Sequence, residues 1–240
     1  MKNIADIHCH IIPYVDDGAS VAAESEGLVE AAYATGVRTI CCTPHLRRGM
    51  FETPDEAIQE QFEKLKERTL AAAYPEEIKL FLSREYHADR LLLQRLEQNA
   101  ILPLGLGKYL LLEFSNAHPL EDIHWFIKTV LDAGYKPLVA HAERYRVLWD
   151  SPDLAEELID LGAKIQMNSS SILGREGRHQ ASYCKKLLKR QLVSVVASDA
   201  HDTEIRVPEL DLAAAHLTRK FGEDYAEALL VQNPLEILGL

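Results

Sequence analysis

The stretch Ile4-Ala5-Asp6-Ile7-His8-Cys9-His10 joins a short apolar run to two histidines separated by one residue. In an extended strand, side chains two apart point the same way, so His8 and His10 can present two imidazoles to one centre. Six further apolar runs follow: Thr39–Cys42, Ile78–Leu82, Tyr109–Phe114, Pro137–Val139, Lys164–Met167 and Leu192–Ala197. With Ile4–Ile7 they are short and bounded by polar residues, as strands buried on both faces are. Five of the six also run into metal-competent side chains: His45 after Thr43-Pro44, Glu85 after Ser83-Arg84, Glu113 after Leu112, His141 after Ala140, and Asp199-Ala200-His201 after Ser198.

The segments between these runs read as helices. Val21–Thr35 is rich in Ala and Glu and stops at Gly36, and Leu120–Ala133 ends at Gly134. Thr53-Pro54-Asp55-Glu56 has the form of a helix start, with Thr as N-cap and Pro at the first position; Ser151-Pro152 opens another helix that ends near Gly162. Strands alternating with helices predict a parallel sheet. Seven of them predict an α/β fold, a distorted (β/α)7 TIM-like barrel forming a single domain over residues 1–240. An open doubly wound sheet is the alternative, although no G-x-G-x-x-G supports a dinucleotide site. In either architecture the C-terminal ends of the strands form one face, where active sites sit. Six sets of polar residues would therefore meet in one place.

A chain of 240 residues, 47% hydrophobic and 26% charged, has the composition of an ordinary globular protein. Its net charge of −11 argues against non-specific nucleic-acid binding, which needs excess Lys and Arg. Met1–His10 has one Lys and no apolar core of a signal peptide, and no apolar run reaches membrane-spanning length, so a cytoplasmic protein without membrane insertion is expected. The four cysteines, Cys9, Cys41, Cys42 and Cys184, make no disulfide framework in a chain this long.

Imidazole and carboxylate donors suit Zn, Mn or Fe, and the absence of well-placed thiolates argues against a structural zinc site. One His-x-His pair is often incidental, and one buried acid beside an Arg is often an ion pair. Donors at six strand ends together point to metal. An acidic protein that binds phosphate must concentrate positive charge locally, which metal ions do. Arg144, three residues after His141, and Arg206, five after His201, add guanidinium groups suited to phosphate oxygens, whereas Arg47 and Arg48 read as surface residues.

The C-x5-R spacing of cysteine-dependent tyrosine phosphatases occurs three times: Cys41 with Arg47, Cys42 with Arg48, and Cys184 with Arg190. A phosphate-cradling loop needs glycines for its backbone N–H groups. Cys42–Arg48 has none and contains Pro44, while Cys184 precedes the helical run Lys185–Lys189. These cysteines are expected to be packing residues, and Lys185–Arg190 a solvated helix face.

Asp6-Ile7-His8-Cys9-His10, Asp16-Asp17-Gly18, Thr43-Pro44-His45, Leu112-Glu113-Phe114-Ser115, Ala140-His141-Ala142-Glu143-Arg144-Tyr145 and Ala197-Ser198-Asp199-Ala200-His201 resemble, in this order, the motifs of the polymerase-and-histidinol-phosphatase (PHP) superfamily. Arg48-Gly49-Met50-Phe51-Glu52-Thr53-Pro54 and Asn233-Pro234 resemble its CpsB-type branch, bacterial protein-tyrosine phosphatases of capsular and exopolysaccharide synthesis. The resemblance spans essentially the whole chain. It implies a distorted barrel holding three divalent metal ions, usually manganese, with iron or zinc as alternatives. His8, His10, Glu85 and Asp199 would hold the first, Glu85, Glu113 and His141 the second, and Asp17, His45 and His201 the third.

Glu85 would bridge two of these ions, with His87 as a competitor for that role. Arg144 and Arg206 would bind the phosphate, and Cys9 would face away from the ligands. The implied reaction is hydrolysis of phosphotyrosine by a metal-activated hydroxide. The implied substrate is a partner protein, namely the Tyr-rich tail of a bacterial tyrosine kinase. Two alternatives use the same donors: a small-molecule phosphatase acting on a compound such as histidinol phosphate, and a metal-stabilised regulatory module without turnover.

Overall fold

Nine strands alternate with helices in the computed structural model, which describes residues 1–149 and 151–240. In chain order the elements are β1 (Ile4–Cys9), α1 (Ala22–Ala34), β2 (Val37–Cys42), β3 (His45–Leu46), α2 (Asp55–Ala71), β4 (Lys79–Leu82), β5 (Glu85–His87), α3 (Arg90–Glu97), β6 (Tyr109–Glu113) and α4 (Leu120–Asp132). They continue as β7 (Lys136–Val139), α5 (Pro152–Asp160), β8 (Lys164–Asn168), α6 (Ser169–Ile172), α7 (Arg178–Lys189), β9 (Val195–Ala197) and α8 (Leu210–Phe221). Shorter helical segments complete the chain.

All the paired strands run parallel, as the alternation predicts. They form two sheets, β1-β2-β4 and β3-β5-β6-β7-β8-β9. The expected runs Thr39–Cys42 and Ile78–Leu82 are found as β2 and β4. Each is followed by a short strand that was not predicted, β3 and β5, which accounts for nine strands where seven were predicted. β2 stops at Cys42, and after Thr43-Pro44 the chain enters the second sheet as β3; Pro44 has no N–H to continue a ladder. β4 stops at Leu82, and after Ser83-Arg84 the chain re-enters as β5. The buried Arg84 bolts these breaks together. It donates to Pro44 O at 3.2 Å, to His45 O at 2.7 Å and to the Asp55 carboxylate at 2.8 Å.

The sheets curl toward one another at β1 and β9. Their ends are linked by a bridge between Cys9 and Ala200 and by the hydrogen bonds Asp199 N–H to His8 O and His10 N–H to Ala200 O, both 2.8 Å. Helices pack around the outside of this curled parallel sheet. Both faces of the strands are buried, so Ile7, Cys41, Leu111, Leu138 and Val195 fill the inside, while Leu110, Leu112, Val139 and Ile165 pack against the helices. Each such aliphatic side chain contributes about 1.5–3 kcal/mol by leaving water. On β6 the alternation Tyr109, Leu111, Glu113 carries the inner face from packing residues to a donor at the C-terminal end.

Helix ends follow the sequence signals with one exception. The Ser151 hydroxyl accepts from Asp153 N–H at 3.1 Å, with Pro152 in the first turn. Thr53 does not cap α2: Pro54 takes that place, and the Thr53 hydroxyl donates to Val15 O at 2.7 Å. A tertiary contact has claimed the hydroxyl that local spacing assigned to the helix. Among the described residues, no helix is long and apolar enough to cross a membrane.

Candidate metal centre

The donors predicted from C-terminal strand ends converge in one place, although His45 and Glu85 open β3 and β5 and so follow the ends of β2 and β4 without closing their own strands. β1 delivers His8 and His10, β3 His45, β5 Glu85 and β6 Glu113. His141 follows β7, Asp199 and His201 follow β9, and Asp17 lies in the loop after β1. His141 and Asp199 both adopt left-handed backbone, with φ of 30° and 53°. Non-glycine residues hold that conformation only where the surroundings impose it, a common feature of functional sites. The loop bearing Asp17 depends on Gly18, since a Cβ there would lie 2.0 Å from His10 O.

Glu85 is at the centre and fully buried. Its Oε2 is 3.2 Å from Nε2 of both His8 and His10 and 3.0 Å from Nδ1 of His45, and its Oε1 is 2.9 Å from Nε2 of His141. Asp199 Oδ1 lies 3.4 Å from His8 Nε2 and 3.6 Å from His10 Nε2. Asp17 Oδ1 lies 3.5 Å from Nε2 of both His45 and His201. Four overlapping sets of donor atoms lie mutually within 4.8 Å: His10, Asp17, His45 and His201; His8, His141 and Asp199; His8, His10 and Glu85; and His45, Glu85 and Glu113. All nine predicted ligands thus come together. The groups overlap more than the implied partition: His45 reaches both Asp17 and Glu85, and His141 groups with His8 and Asp199. His87 stands aside from these sets, 3.2 Å from Glu113.

The tautomers test whether this pocket suits cations. His10 Nδ1 donates to the Asp16 carboxylate at 2.7 Å, and His8 Nδ1 donates to Gln166 Oε1 at 3.1 Å. With Nδ1 donating outward, each ring presents its Nε2 inward, as a lone pair once the ring is neutral, toward carboxylate oxygens that are themselves acceptors. The two Nε2 atoms are only 3.3 Å apart. His201 donates Nδ1–H to Asp199 O at 3.0 Å, leaving its buried Nε2 without a partner; Glu85 Oε2 and His45 Nδ1 also lack a satisfying hydrogen bond. Acceptors crowded together in a buried space suit positive charge, supplied by protons on the imidazoles or by bound cations. Divalent ions fit the donor set, and the outer hydrogen bonds fix each ring as a ligand.

Titration in the metal-free cluster carries the same message. Burial opposes charge on His10, as does the neighbouring His45, yet Asp16 and Glu85 raise its pKa to about 9. His45 also rises to about 9, because Glu85 and Glu113 outweigh burial. Glu85 and Asp199 are held well below the usual carboxylate range against burial, with His8 the foremost opposing charge. Burial and the nearby His10 push His201 down to about 4.

Arg144 and Arg206 meet on the far side of Asp199. Both donate to its Oδ2, at 2.8 and 2.7 Å, and Asn168 Nδ2 donates to the same atom at 2.7 Å. Asp199 thus turns one oxygen to the imidazoles and the other to the guanidiniums. Glu176 grips Arg144 through Nε and Nη2, both at 2.9 Å, and accepts from the Ser170 hydroxyl. The side chains of Arg144 and Arg206 are about one-third exposed, which places them at the mouth of the site.

Four supporting residues were not singled out as functional from sequence: Asp16, Gln166, Asn168 and Glu176. Asp16 lies within the quoted Asp16-Asp17-Gly18 motif, and Gln166-Met167-Asn168 ends β8 with polar residues two apart, a pattern that was available. Glu176 has no comparable signal. The cysteines are buried packing residues as expected. Cys9 Sγ turns to Cys41 O at 3.6 Å, away from the ligands, and Cys184 lies in α7. Burial raises the thiol pKa of Cys41 and Cys184.

A curled parallel sheet with a multi-metal donor cluster at its C-terminal ends defines a site of the PHP type. The family described as "Capsular polysaccharide synthesis, CpsB/CapC" matches residues 4–239. The tyrosine-protein phosphatase CpsB of Streptococcus pneumoniae is 36% identical over 238 residues, covering 97% of each chain. The tyrosine-protein phosphatase YwqE of Bacillus subtilis is 32% identical over 225 residues, 91% of this chain and 85% of that one. A structure from crystallographic work on YwqE of Bacillus subtilis and CpsB of Streptococcus pneumoniae, described there as unique metal-dependent tyrosine phosphatases, superposes with a TM-score of 0.90 at 31% identity. That match covers 98% of this chain and 94% of the other. The chain belongs to the CpsB/CapC family of PHP-type tyrosine phosphatases.

Proposed function

We propose that this protein is a metal-dependent protein-tyrosine phosphatase of the cytoplasm, acting on the Tyr-rich tail of a bacterial tyrosine kinase that controls capsular or exopolysaccharide synthesis. The observation that carries the reading is the donor cluster set beside two guanidiniums. Family membership and the named activities of the relatives support the choice of phosphotyrosine. The distorted seven-staved barrel belongs to the same reading, with β2–β3 and β4–β5 each counted as one broken stave.

His8, His10, Glu85 and Asp199 would hold one ion, Glu85, Glu113 and His141 a second, and Asp17, His45 and His201 a third, with manganese first among the candidates. Bound divalent ions supply a hydroxide nucleophile near neutral pH and Lewis acidity toward phosphoryl oxygens. The protein's own contribution is positioning. Arg144 and Arg206 take phosphoryl oxygens and stabilise the charge that develops on them. Asp199 holds both guanidiniums in place through Oδ2, while its Oδ1 belongs to the donor cluster. The leaving phenolate has a conjugate acid of pKa about 10 and needs less protonation than a serine alkoxide.

The test is phosphate release from a phosphotyrosine peptide and from histidinol phosphate, with metal content measured alongside, for the native chain and for Asp199→Ala. The expected results are a preference for the peptide and loss of both metal and turnover in the variant. Stoichiometric metal with no hydrolysis of any phosphate monoester would sink the reading.

A further inference from the structure

Two aromatic side chains outside the donor sets touch proposed ligands: Tyr145, which is buried against His141, and Phe51, which reaches solvent. Phe51 stacks on His45, with ring centroids 4.9 Å apart and planes 11° from parallel. The ring is carried by a small hairpin. Arg47 N–H donates to Phe51 O and Phe51 N–H to Arg47 O, both at 2.9 Å, with Gly49 in left-handed backbone near the tip. Arg48 N–H donates to the Asp89 carboxylate at 3.0 Å, and Thr53 ties the far end of the hairpin to Val15 O. Phe51 is therefore presented by fixed backbone. It is only half-buried, although it packs on a buried imidazole.

Its position matters because His45 faces the open part of the cluster. His45 Nε2 lies 3.5 Å from Asp17, whose side chain is 49% exposed, whereas Glu85 and the side chains of His8 and His10 are sealed from solvent. The two guanidiniums stand elsewhere, on the Oδ2 side of Asp199. The exposed Asp17 carboxylate marks the Asp17–His45 side of the cluster as open to solvent, a side on which an ester substituent can leave the site. The half-exposed ring beside His45 is then the surface which that substituent meets. A planar aryl group packs on such a ring through offset or edge contacts, and a flexible alkyl chain gains less.

We propose that Phe51 is a specificity-determining residue, an aromatic wall that favours aryl over alkyl phosphomonoesters. The inference rests on the phosphotyrosine reading of the site and adds to it the residue that selects the aryl substituent. Phe51 makes no bond to the reacting atoms. It acts on how tightly an aryl substrate is held.

The test compares phenylphosphonate with methylphosphonate, which are not hydrolysed, by calorimetric binding to the metal-loaded protein and its Phe51→Leu and Phe51→Trp variants. Metal content is measured for each. In the native protein phenylphosphonate binds more tightly. Phe51→Leu, which keeps an apolar contact with His45, narrows the gap by about two- to tenfold, the range one aromatic pair supplies. Phe51→Trp retains the gap.

A gap unchanged in Phe51→Leu overturns the proposal. So does equal weakening of both phosphonates together with loss of metal, since Phe51 would then only support His45. So does an absence of phenyl preference in the native protein. Because binding is read without turnover, these outcomes are separate from failure of the phosphatase reading, which appears as no phosphate release from any monoester.

Discussion

Asp16 Oδ2 accepts the Nδ1–H of His10 at 2.7 Å, and both side chains are sealed from solvent. The same oxygen accepts His45 N–H at 3.0 Å, so one carboxylate outside the donor sets orients two residues within them. Burial opposes ionisation of Asp16, but the His10 charge and these hydrogen bonds outweigh it and hold the carboxyl below its usual range.

Asp16→Asn should therefore weaken metal binding while every proposed ligand remains. Losing an outer-shell partner of a ligating histidine costs about 10–100-fold in metal affinity. Competition with a chromogenic chelator would measure it. Unchanged affinity would show that the His10 tautomer does not depend on this contact.

Metal affinity should rise with pH from about 6.5 toward 9, because protons compete for the same lone pairs. His10 and His45 have folded pKa values of about 9, above the ordinary 6.5. In the metal-free protein their contribution to stability is fully present below pH 6.5 and is lost as pH rises through about 9. Thermal melts of chelator-treated protein should fall across that window, and melts of the metal-loaded protein should not follow them. Parallel curves would contradict the assignment.

Glu176→Ala should raise KM for a phosphate monoester more than it lowers kcat. Glu176 takes the Nε–Nη2 edge of Arg144, and without it the guanidinium is held only by Asp199. A rise of about tenfold in KM matches one misplaced charge-assisted contact. A fall in kcat alone, with KM unchanged, would place Glu176 in the chemical step instead.

Chelation should abolish turnover, and thiol alkylation of the folded protein should leave it intact. The four cysteines are buried, and those at 41 and 184 have pKa values raised by burial, the reverse of an activated thiolate. Steady-state rates after treatment with EDTA and, separately, N-ethylmaleimide check both halves.

Where strand and donor adjoin in the chain, the sequence was sufficient. His8 and His10 sit at the end of β1, and two-residue periodicity makes that pair legible without any fold. Asp199 and His201 lie past β9, and with Asp199 in left-handed backbone they fall in different donor sets instead of sharing one as the spacing predicts. The breaks at Thr43-Pro44 and Ser83-Arg84 were not legible as sheet crossings. Each continues an apolar run into a donor, and only pairing of β3 with β5 shows that the chain has changed sheets. Thr53 shows the same limit at a helix end, since its hydroxyl bonds to Val15 O, 38 residues away.

The sequence by itself determined the α/β class, the parallel direction of the strands and the presence of candidate donors after six apolar runs, because these follow from short-range periodicity and residue chemistry; Asp17, and Glu85 in preference to His87, came from the family resemblance. Tertiary structure decided which donors share a centre and which nitrogen each imidazole presents. That choice is set by partners distant in the chain: Gln166 reaches His8 across 158 positions, and Arg144 meets Asp199 across 55. A lone pair acquires its direction only when the group on the other side of the ring is in place, and the curl of the sheets puts it there.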